Sequence, residues 1–211
     1  MPRAAKASPA PTDRRQAILT GAREVFARKG MAATMADVAV AAHVSQGLAY
    51  RYFKDKDAIV HALVSEALEA GRADVRRITA MEGSPGTRLE LLVTGMVDGR
   101  RMHPDLFALL HQLGDGSLPR SIRELVRRQG EFFRQALRQL ITDGQSTGEV
   151  AGGDPDQLVM ALLACLEGLS DLTVREPEAV GPHFPDVEIL LRMFRPPALT
   201  RFRSGHRRGK S

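Results

Sequence analysis

The segment from Thr34 to Phe53, TMADVAVAAHVSQGLAYRYF, constrains the fold more than any other stretch of this chain. Thr34 and Asp37, three residues apart, have the spacing of a capping box at the start of a short helix. His43 occupies a corner where a left-handed backbone is expected, and Ser45 can cap a second helix. Two short helices joined by a tight turn are the pattern of a helix-turn-helix, whose second helix enters the major groove of DNA.

The second helix of this segment carries the side chains that would meet DNA. Gln46 can form two hydrogen bonds with adenine, and Gly47 permits a close approach of the backbone. Tyr50 and Lys56 are predicted to bind phosphates, while Arg51 has two open roles, guanine recognition or phosphate binding. Tyr52 either contacts DNA or packs under the helix. The predicted DNA-binding residues are Thr34, Ser45, Gln46, Gly47, Tyr50, Arg51, Tyr52 and Lys56.

The same residues resemble the tetracycline-repressor (TetR) family of bacterial regulators. The family pattern Ala-Ala-Gly-Val-Ser-x-Gly-x-x-Tyr-x-Tyr-Phe-x-x-Lys is matched from Ala41 to Phe53 and at Lys56. The chain departs from it at His43, where the family usually has glycine, and at Ala49, where a larger aliphatic residue is common. The resemblance implies a dimeric regulator, most often a repressor, whose body holds a small-molecule pocket and which releases DNA when that pocket is filled.

Charge is distributed unevenly along the 211 residues, and the distribution is more informative than the net charge of +5. Residues 1–60 carry a net charge of +5, residues 61–194 a net charge of −6 and residues 195–211 a net charge of +6. A basic N-terminal part on an acidic body suits a unit that faces phosphates, joined to one that does not bind DNA. Double-stranded DNA is therefore the predicted macromolecular partner.

Several other functional classes receive no support from the sequence. The lone Cys165 excludes an internal disulfide framework, and its apolar neighbours predict a buried, inert thiol. No apolar run is expected to span a membrane and no hydrophobic segment opens the chain, so a cytoplasmic protein is predicted. Without a nucleophile elbow, a glycine-rich phosphate loop or metal-ligand spacing, we predict no enzyme, cofactor or metal site.

Helical periodicity runs through most of the chain, so the predicted fold class is all-α. Residues 1–11 are predicted to be a disordered arm, residues 12–56 a three-helix DNA-binding domain and residues 57–195 a helical effector-binding and dimerisation domain. A helix from Asp57 to Ala80 would join the two domains and couple them. Residues 196–211 form a basic tail, either a second DNA contact or, as we favour, a disordered end.

The last two predicted helices carry more apolar surface than a small domain covers easily, since the run from Leu158 to Leu166 is apolar nearly all round. We therefore predict a homodimer with a four-helix interface; packing inside one subunit is the alternative. Two recognition helices about 34 Å apart, one turn of DNA, read a near-palindrome. The predicted interface residues are Leu162, Leu163, Leu166, Leu169, Leu190, Leu191 and Phe194.

The effector pocket implied by the resemblance would lie among the central helices of the body. Methionine and phenylalanine side chains there predict an apolar, adaptable lining for a small apolar ligand, with ordinary core packing as the alternative for each residue. The predicted lining residues are Met96, Met102, His103, Phe107, Leu110, His111, Phe132, Phe133 and Met160. A DNA-binding regulator or architectural factor without an effector is the alternative function, and a ligand-sized cavity would distinguish the two.

Overall fold

The computed structural model describes residues 11–102, 104, 107 and 120–196. Every regular element in these ranges is a helix, which confirms the all-α prediction. Most of the predicted arm and tail lie outside the described residues.

The N-terminal region consists of three helices and the start of a fourth. The helix α1 ends where Gly30 takes a φ of 54°, and a 3-10 turn over Gly30–Ala32 leads into α2. The third helix, α3, follows the tight turn at His43. The bounds are Pro11–Lys29 for α1, Met35–Ala41 for α2 and Gln46–Tyr52 for α3.

The remaining helices form the body. Asp55 caps α4 by accepting a hydrogen bond from the backbone N–H of Ala58 at 2.8 Å, and Asp154 caps the helix that starts with Pro155. The last helix ends at Leu191, and the chain continues only as a 3-10 turn to Phe194. The body helices are α4 (Lys56–Ala80), α5 (Pro85–Met102), α6 (Arg120–Ser146), α7 (Pro155–Arg175), α8 (Pro177–Val180) and α9 (Val187–Leu191).

Two hydrophobic clusters hold the structure together. The first core joins α1, α2 and α3 to the first half of α4, and it includes Ile122 at the start of α6. The second core joins the last part of α4 to α5, the C-terminal half of α6, α7 and α9. The helices α4 and α6 therefore belong to both cores, which makes them the two physical links between the N-terminal region and the body.

The helix α7 stands out because it is long and apolar but poorly covered. It is the one helix in the described ranges that could cross a membrane by length and composition, so the prediction of no such run is wrong on that criterion. Only 22% of its most apolar window is buried within one chain. A core helix of a soluble protein passes the same test, and the interest of α7 lies in the apolar face that it leaves open.

Candidate functional site

Side-chain caps on both helices build the turn between α2 and α3. Thr34 Oγ1 accepts a hydrogen bond from the backbone N–H of Asp37 at 3.2 Å, and the Asp37 carboxylate accepts one from the backbone N–H of Thr34 at 3.0 Å. Ser45 Oγ accepts a hydrogen bond from the backbone N–H of Leu48 at 3.2 Å. His43 has a φ of 54°, the left-handed conformation predicted for the corner. The predicted caps are thus confirmed, and they fix where each helix begins.

An ion pair ties the end of α1 to the capping carboxylate of α2. Lys29 Nζ lies 2.7 Å from Asp37 Oδ1. The hydrogen bond from Lys29, followed by those from the Thr34 side chain and backbone, lowers the pKa of Asp37 from 3.8 to about 2. The carboxylate is therefore ionised at neutral pH. Its negative charge lies in the first turn of α2, where the helix dipole favours it.

Gly21 lets α1 pass directly against the helix-turn-helix. A Cβ atom at this position would lie 2.6 Å from the backbone nitrogen of Ala42 and 2.9 Å from the carbonyl carbon of Ala41. Both neighbours are backbone atoms that cannot rotate away, so only glycine fits. Gly21 was not among the predicted residues, although a glycine inside an otherwise amphipathic helix is a signal of close backbone approach.

One face of α3 is buried and the opposite face is open. Ala49 is fully buried, which explains a small residue where the family often has a larger one. Tyr50 is 49% exposed, and a Cβ added at Gly47 would meet no atom within 4 Å. The open face presents an amide, a phenol and a guanidinium. Its exposed residues are Gln46, Gly47, Tyr50 and Arg51, with the capping Ser45 just before them.

Three predicted DNA contacts are engaged within the protein. Tyr52 is half-buried and packs against the first core, which is one of the two roles left open for it. Lys56 Nζ donates a hydrogen bond to the Met31 carbonyl at 2.6 Å and so fastens the loop after α1 to the start of α4. Thr34 is held in the capping box. Because an ammonium group has three donors, Lys56 keeps two N–H groups for a phosphate.

The start of α1 forms a second wall beside α3. A cleft of about 410 Å³ lies between Asp13, Arg14 and Ala17 of α1 and the turn from Ala42 to Leu48. The neighbouring Arg15 is paired with Glu66, 2.9 Å away. Arg14 thus lies beside the capped start of α3.

These features define a class of protein: an all-helical chain whose helix-turn-helix presents an open second helix is a DNA-binding protein. The model of the family described as "Bacterial regulatory proteins, tetR family" matches residues 18–63, which cover the helix-turn-helix and parts of α1 and α4. This match and the similar proteins below support a transcriptional regulator of the tetR family.

Similar proteins extend the likeness into the body. An uncharacterized HTH-type transcriptional regulator of Bacillus subtilis, YuxN, is 25% identical over 161 residues, which are 76% of this chain but only 53% of that protein. The chain thus matches about half the length of this curated relative. A TetR/AcrR-family regulator from Thermobifida fusca is 26% identical, with a TM-score of 0.62 and coverage of 85% of this chain and 97% of that one. The ketosteroid regulator KstR2 of Mycobacterium tuberculosis is 20% identical, with a TM-score of 0.72 and coverage of 92% and 99%.

The predicted ligand-binding residues do not all lie together. Met96, Phe132 and Phe133 are half-buried and pack against the second core. Met102 and Met160 are 72% and 62% exposed, so neither side chain is enclosed within one subunit, and their place in a pocket stays a prediction. Both side chains lie outside the contacts of the second core, at the end of α5 and on the open face of α7. His103, Leu110 and His111 lie outside the described residues.

Five of the seven predicted interface residues are buried inside a single subunit. Leu163 and Leu169 are half-buried, and they also pack against the second core. The prediction that this set forms an intersubunit surface therefore needs correction, because the leucines of α7 point inward against α5 and α6, and α9 closes the same core. The buried residues are Leu162, Leu166, Leu190, Leu191 and Phe194.

Arg100 of α5 is a cation in the body that the sequence analysis missed. Its Nε donates hydrogen bonds to the Leu166 carbonyl at 3.2 Å and to Ser170 Oγ at 3.1 Å, and its Nη1 donates to the Met96 carbonyl at 3.0 Å. The guanidinium lies 4.5 Å from the centre of the Phe107 ring. Burial lowers the pKa of Arg100 to about 10, which leaves it charged at neutral pH. Arg100 thereby ties α5 to α7 through bonds to neutral acceptors.

The open face of α7 is made mostly of small and apolar residues. Met160 is 62% exposed and Leu172 is 44% exposed, with exposed alanine, cysteine and glycine between them and the exposed Glu167 at the edge of the face. Cys165 lies on this face and is exposed, so its predicted burial is wrong. We call this surface the α7 face; its residues are Met160, Ala161, Ala164, Cys165, Gly168 and Leu172. No cluster of three His, Cys, Asp or Glu side chains suited to a metal ion occurs within the described ranges.

Proposed function

We propose that the chain is a homodimeric repressor that binds a near-palindromic DNA operator through α3 and leaves it when a small ligand binds the body. The observation that carries the proposal is the open first turn of α3, where Ser45, Gln46 and Gly47 are exposed at a capped helix N-terminus. A helix that enters the major groove uses these N-terminal residues to contact base edges. We place the DNA-binding domain at residues 12–56 and the effector-binding and dimerisation domain at residues 57–195.

Each residue of the open face has a distinct proposed role. Gln46 hydrogen-bonds adenine in the groove, and Gly47 lets the backbone come close to the bases. Tyr50 and Lys56 bind phosphates, and Arg51 takes a phosphate or a guanine. Thr34 and Ser45 add contacts from the two helix starts, where the backbone N–H groups favour anions. Tyr52 supports α3 from below.

A second copy of the chain covers the α7 face in this proposal. Its small residues at Ala161, Ala164 and Gly168 allow two α7 helices to approach closely, while Met160 and Leu172 would lose their exposure to water. Removing this apolar surface from water favours association. Ile189 of α9, 53% exposed, would extend the same interface. The dimer then holds two α3 helices at the spacing that a near-palindrome needs.

The dimer interface can be tested with one charge at its centre. We expect Ala164→Glu to yield a monomer in sedimentation velocity, because it places a carboxylate without a partner in an apolar contact. Cys165 should react slowly with a thiol reagent in the dimer and quickly in the variant. Ala73→Glu, at an exposed position of α4, is the matched control and should remain dimeric. A wild-type monomer, or a dimer in the Ala164 variant, would contradict the interface.

Release of DNA requires that the ligand bind more tightly to the arrangement of the dimer that cannot bind DNA than to the arrangement that can. We propose that α4 carries the coupling, since it contributes to the first core and to the second. The alternative is a DNA-binding regulator, or an architectural factor, without a small-molecule effector. In either case we expect the protein to act in the cytoplasm, where its operator DNA lies.

The DNA-binding proposal is tested by selecting binding sites from a random duplex library with the purified protein. We expect one near-palindromic sequence, bound with a strong dependence on salt. Gln46→Ala should relax the preference at one or two base positions in each half, while Tyr50→Ala should weaken binding to every sequence alike. Gln135→Ala, on the exposed surface of α6, is the control. Recovery of no preferred sequence would contradict the proposal.

A further inference from the structure

The two hydrophobic cores are separated by a polar seam where α4 and α6 cross between them. Along α4 no buried residue occurs between Val64, in the first core, and Val75, in the second. Along α6 the one buried residue between Ile122 and Leu137 is Gln129. The series of buried apolar residues is therefore interrupted at the same level on α4 and on α6. This interruption belongs to the packing of the two helices against each other rather than to either helix alone.

Two hydrogen-bond donors in this seam have no acceptor. Gln129 is 5% exposed, and its amide nitrogen is buried without a hydrogen-bond partner. The Nε of Arg72 is likewise buried and unpaired. Within the part of the chain that the structure describes, no carboxylate forms an ion pair with Arg72. Buried donors without partners cost free energy, so their presence here calls for an acceptor from elsewhere.

Aromatic rings lie beside both donors. The Arg72 guanidinium lies 4.9 Å from the centre of the Phe132 ring, and Phe132 meets Phe133 edge to face at 6.3 Å. Gln129 precedes Phe132 by three residues, so the two side chains share a face of α6. Gly71 leaves room for the Phe133 ring, since a Cβ there would lie 3.2 Å from its Cζ. We call Gly71, Arg72, Gln129, Phe132 and Phe133 the seam.

We propose that the seam binds the effector, and that the effector is an amphipathic organic acid rather than a purely apolar molecule. Its carboxylate would accept hydrogen bonds from Arg72 Nε and Gln129 Nε2, and its apolar part would lie against the two phenylalanine rings. Arg100 does not take this role, because its Nε and Nη1 already donate to three acceptors. This inference rests on the proposed function for its regulatory consequence, but the binding site stands without it.

The position of the seam explains how such a ligand would act on DNA binding. The first core, which carries α3, and the second core are linked through α4 and α6, and both helices contribute a donor to the seam. A carboxylate held between Arg72 and Gln129 changes the packing of these two helices relative to each other. The change reaches the N-terminal region through the residues of α4 and α6 that pack in the first core; Val64 and Ile122 are the buried ones nearest to the seam on each helix.

Binding is measured by titration calorimetry on the full-length protein without DNA. The probes are octanoate and dodecanoate, each beside the primary amine of the same chain length and below its micelle concentration. We expect a carboxylate to bind about tenfold or more tightly than its matched amine, because a charge-assisted pair is lost in the amine. Arg72→Met and Gln129→Leu should each weaken carboxylate binding, by about tenfold or more for Arg72. Arg76→Met, exposed one turn further along α4, should not.

Equal binding of acid and amine, unchanged carboxylate binding in Arg72→Met, or no binding of either carboxylate would overturn the assignment. Helical circular dichroism of each variant checks that it is folded. Operator binding is measured separately on the same preparations. If the protein binds its operator but no carboxylate, this inference fails and the proposed function stands; if it binds a carboxylate at the seam but no operator, the proposed function fails alone.

Discussion

The N-terminal region and the body differ in how completely they cover apolar side chains and pair buried polar groups. Around the first core the buried residues are apolar, and every helix start in the helix-turn-helix is capped. Among the larger apolar side chains of α2 and α3, only Val40 and Tyr50 are strongly exposed, at 75% and 49%. The body instead leaves the α7 face open and buries Gln129 without a partner. In the proposed function, the first region presents a rigid surface to DNA, and the second receives a second subunit and a ligand.

The difference has a physical origin in what each region must do. A surface that reads base edges has to hold its side chains in place before DNA arrives, which requires tight packing beneath them. A region that switches needs interactions that only one of its states satisfies. An exposed apolar face and an unpaired buried donor each lack an interaction that another state can supply. A second subunit can cover the apolar face, and a ligand can accept a hydrogen bond from the donor.

The largest expected effect on stability comes from adding a methyl group at Gly21, where α1 contacts the turn. We expect Gly21→Ala to lower the free energy of unfolding by about 2–3 kcal/mol, because its methyl group would overlap backbone atoms of the turn. Urea unfolding followed by circular dichroism measures the change, and DNA binding should fall with it. This variant tests whether the N-terminal region is tightly packed.

Gly95→Ala is the matched control for this prediction. Gly95 is exposed in α5, and a Cβ there meets nothing within 4 Å. The substitution should stabilise the protein by about 0.5–1 kcal/mol through helix propensity. If Gly21→Ala leaves the free energy of unfolding unchanged, α1 and the turn can move apart at little cost. The contrast in packing between the two regions would then disappear.

Replacing the buried amide of the seam should strengthen the body. We expect Gln129→Leu to raise the free energy of unfolding by about 1 kcal/mol, because an unpaired buried donor is replaced by an apolar group of similar size. The midpoint of urea unfolding should rise at constant slope. Gln139→Leu, at an exposed position of α6, should change stability by less than about 0.5 kcal/mol. A clear loss of stability in Gln129→Leu would mean that the amide already has a partner.

The smallest expected effect is a pH dependence in the N-terminal region. The pKa of Asp37 is lowered to about 2, first by Lys29 and then by Thr34, so the folded state holds the proton less tightly than the unfolded state. The stability it contributes is full above about pH 3.8, its ordinary pKa, and is lost as the pH falls towards 2. Thermal unfolding from pH 5 to pH 2 should show a smaller decline in Tm for Asp37→Asn than for the wild type. Lys29→Met should behave similarly, and parallel declines in all three proteins would contradict this origin.

The N-terminal region could be predicted from the sequence because its structure is set by local rules. Thr34 with Asp37, Ser45 and Asp55 are cap residues whose partners lie within three positions. His43 is one of the few residues other than glycine that tolerate the left-handed corner. Gly21 was missed because its role depends on a contact with Ala42, which is distant in sequence and invisible until α1 is placed against the turn.

The body was harder to predict because helical periodicity says that a face is apolar but not what covers it. Leucines in the run from Leu158 to Leu166 pack in the core of their own subunit. The open face of the helix is formed instead by small residues, among them Ala161, Ala164 and Cys165. Gln129 carried a readable signal, a polar residue in an apolar stripe. Its meaning depended on Arg72, which lies on another helix.

In the proposed dimer, two rigid DNA-binding regions are joined through the α7 face. Its most direct test compares the affinity of the wild type and of Ala164→Glu for a full near-palindrome and for an isolated half-site. We predict that the wild type prefers the full site by about a hundredfold or more, and that the monomeric variant binds both sites equally and weakly. A wild-type protein that binds the half-site as tightly as the full site would contradict the account.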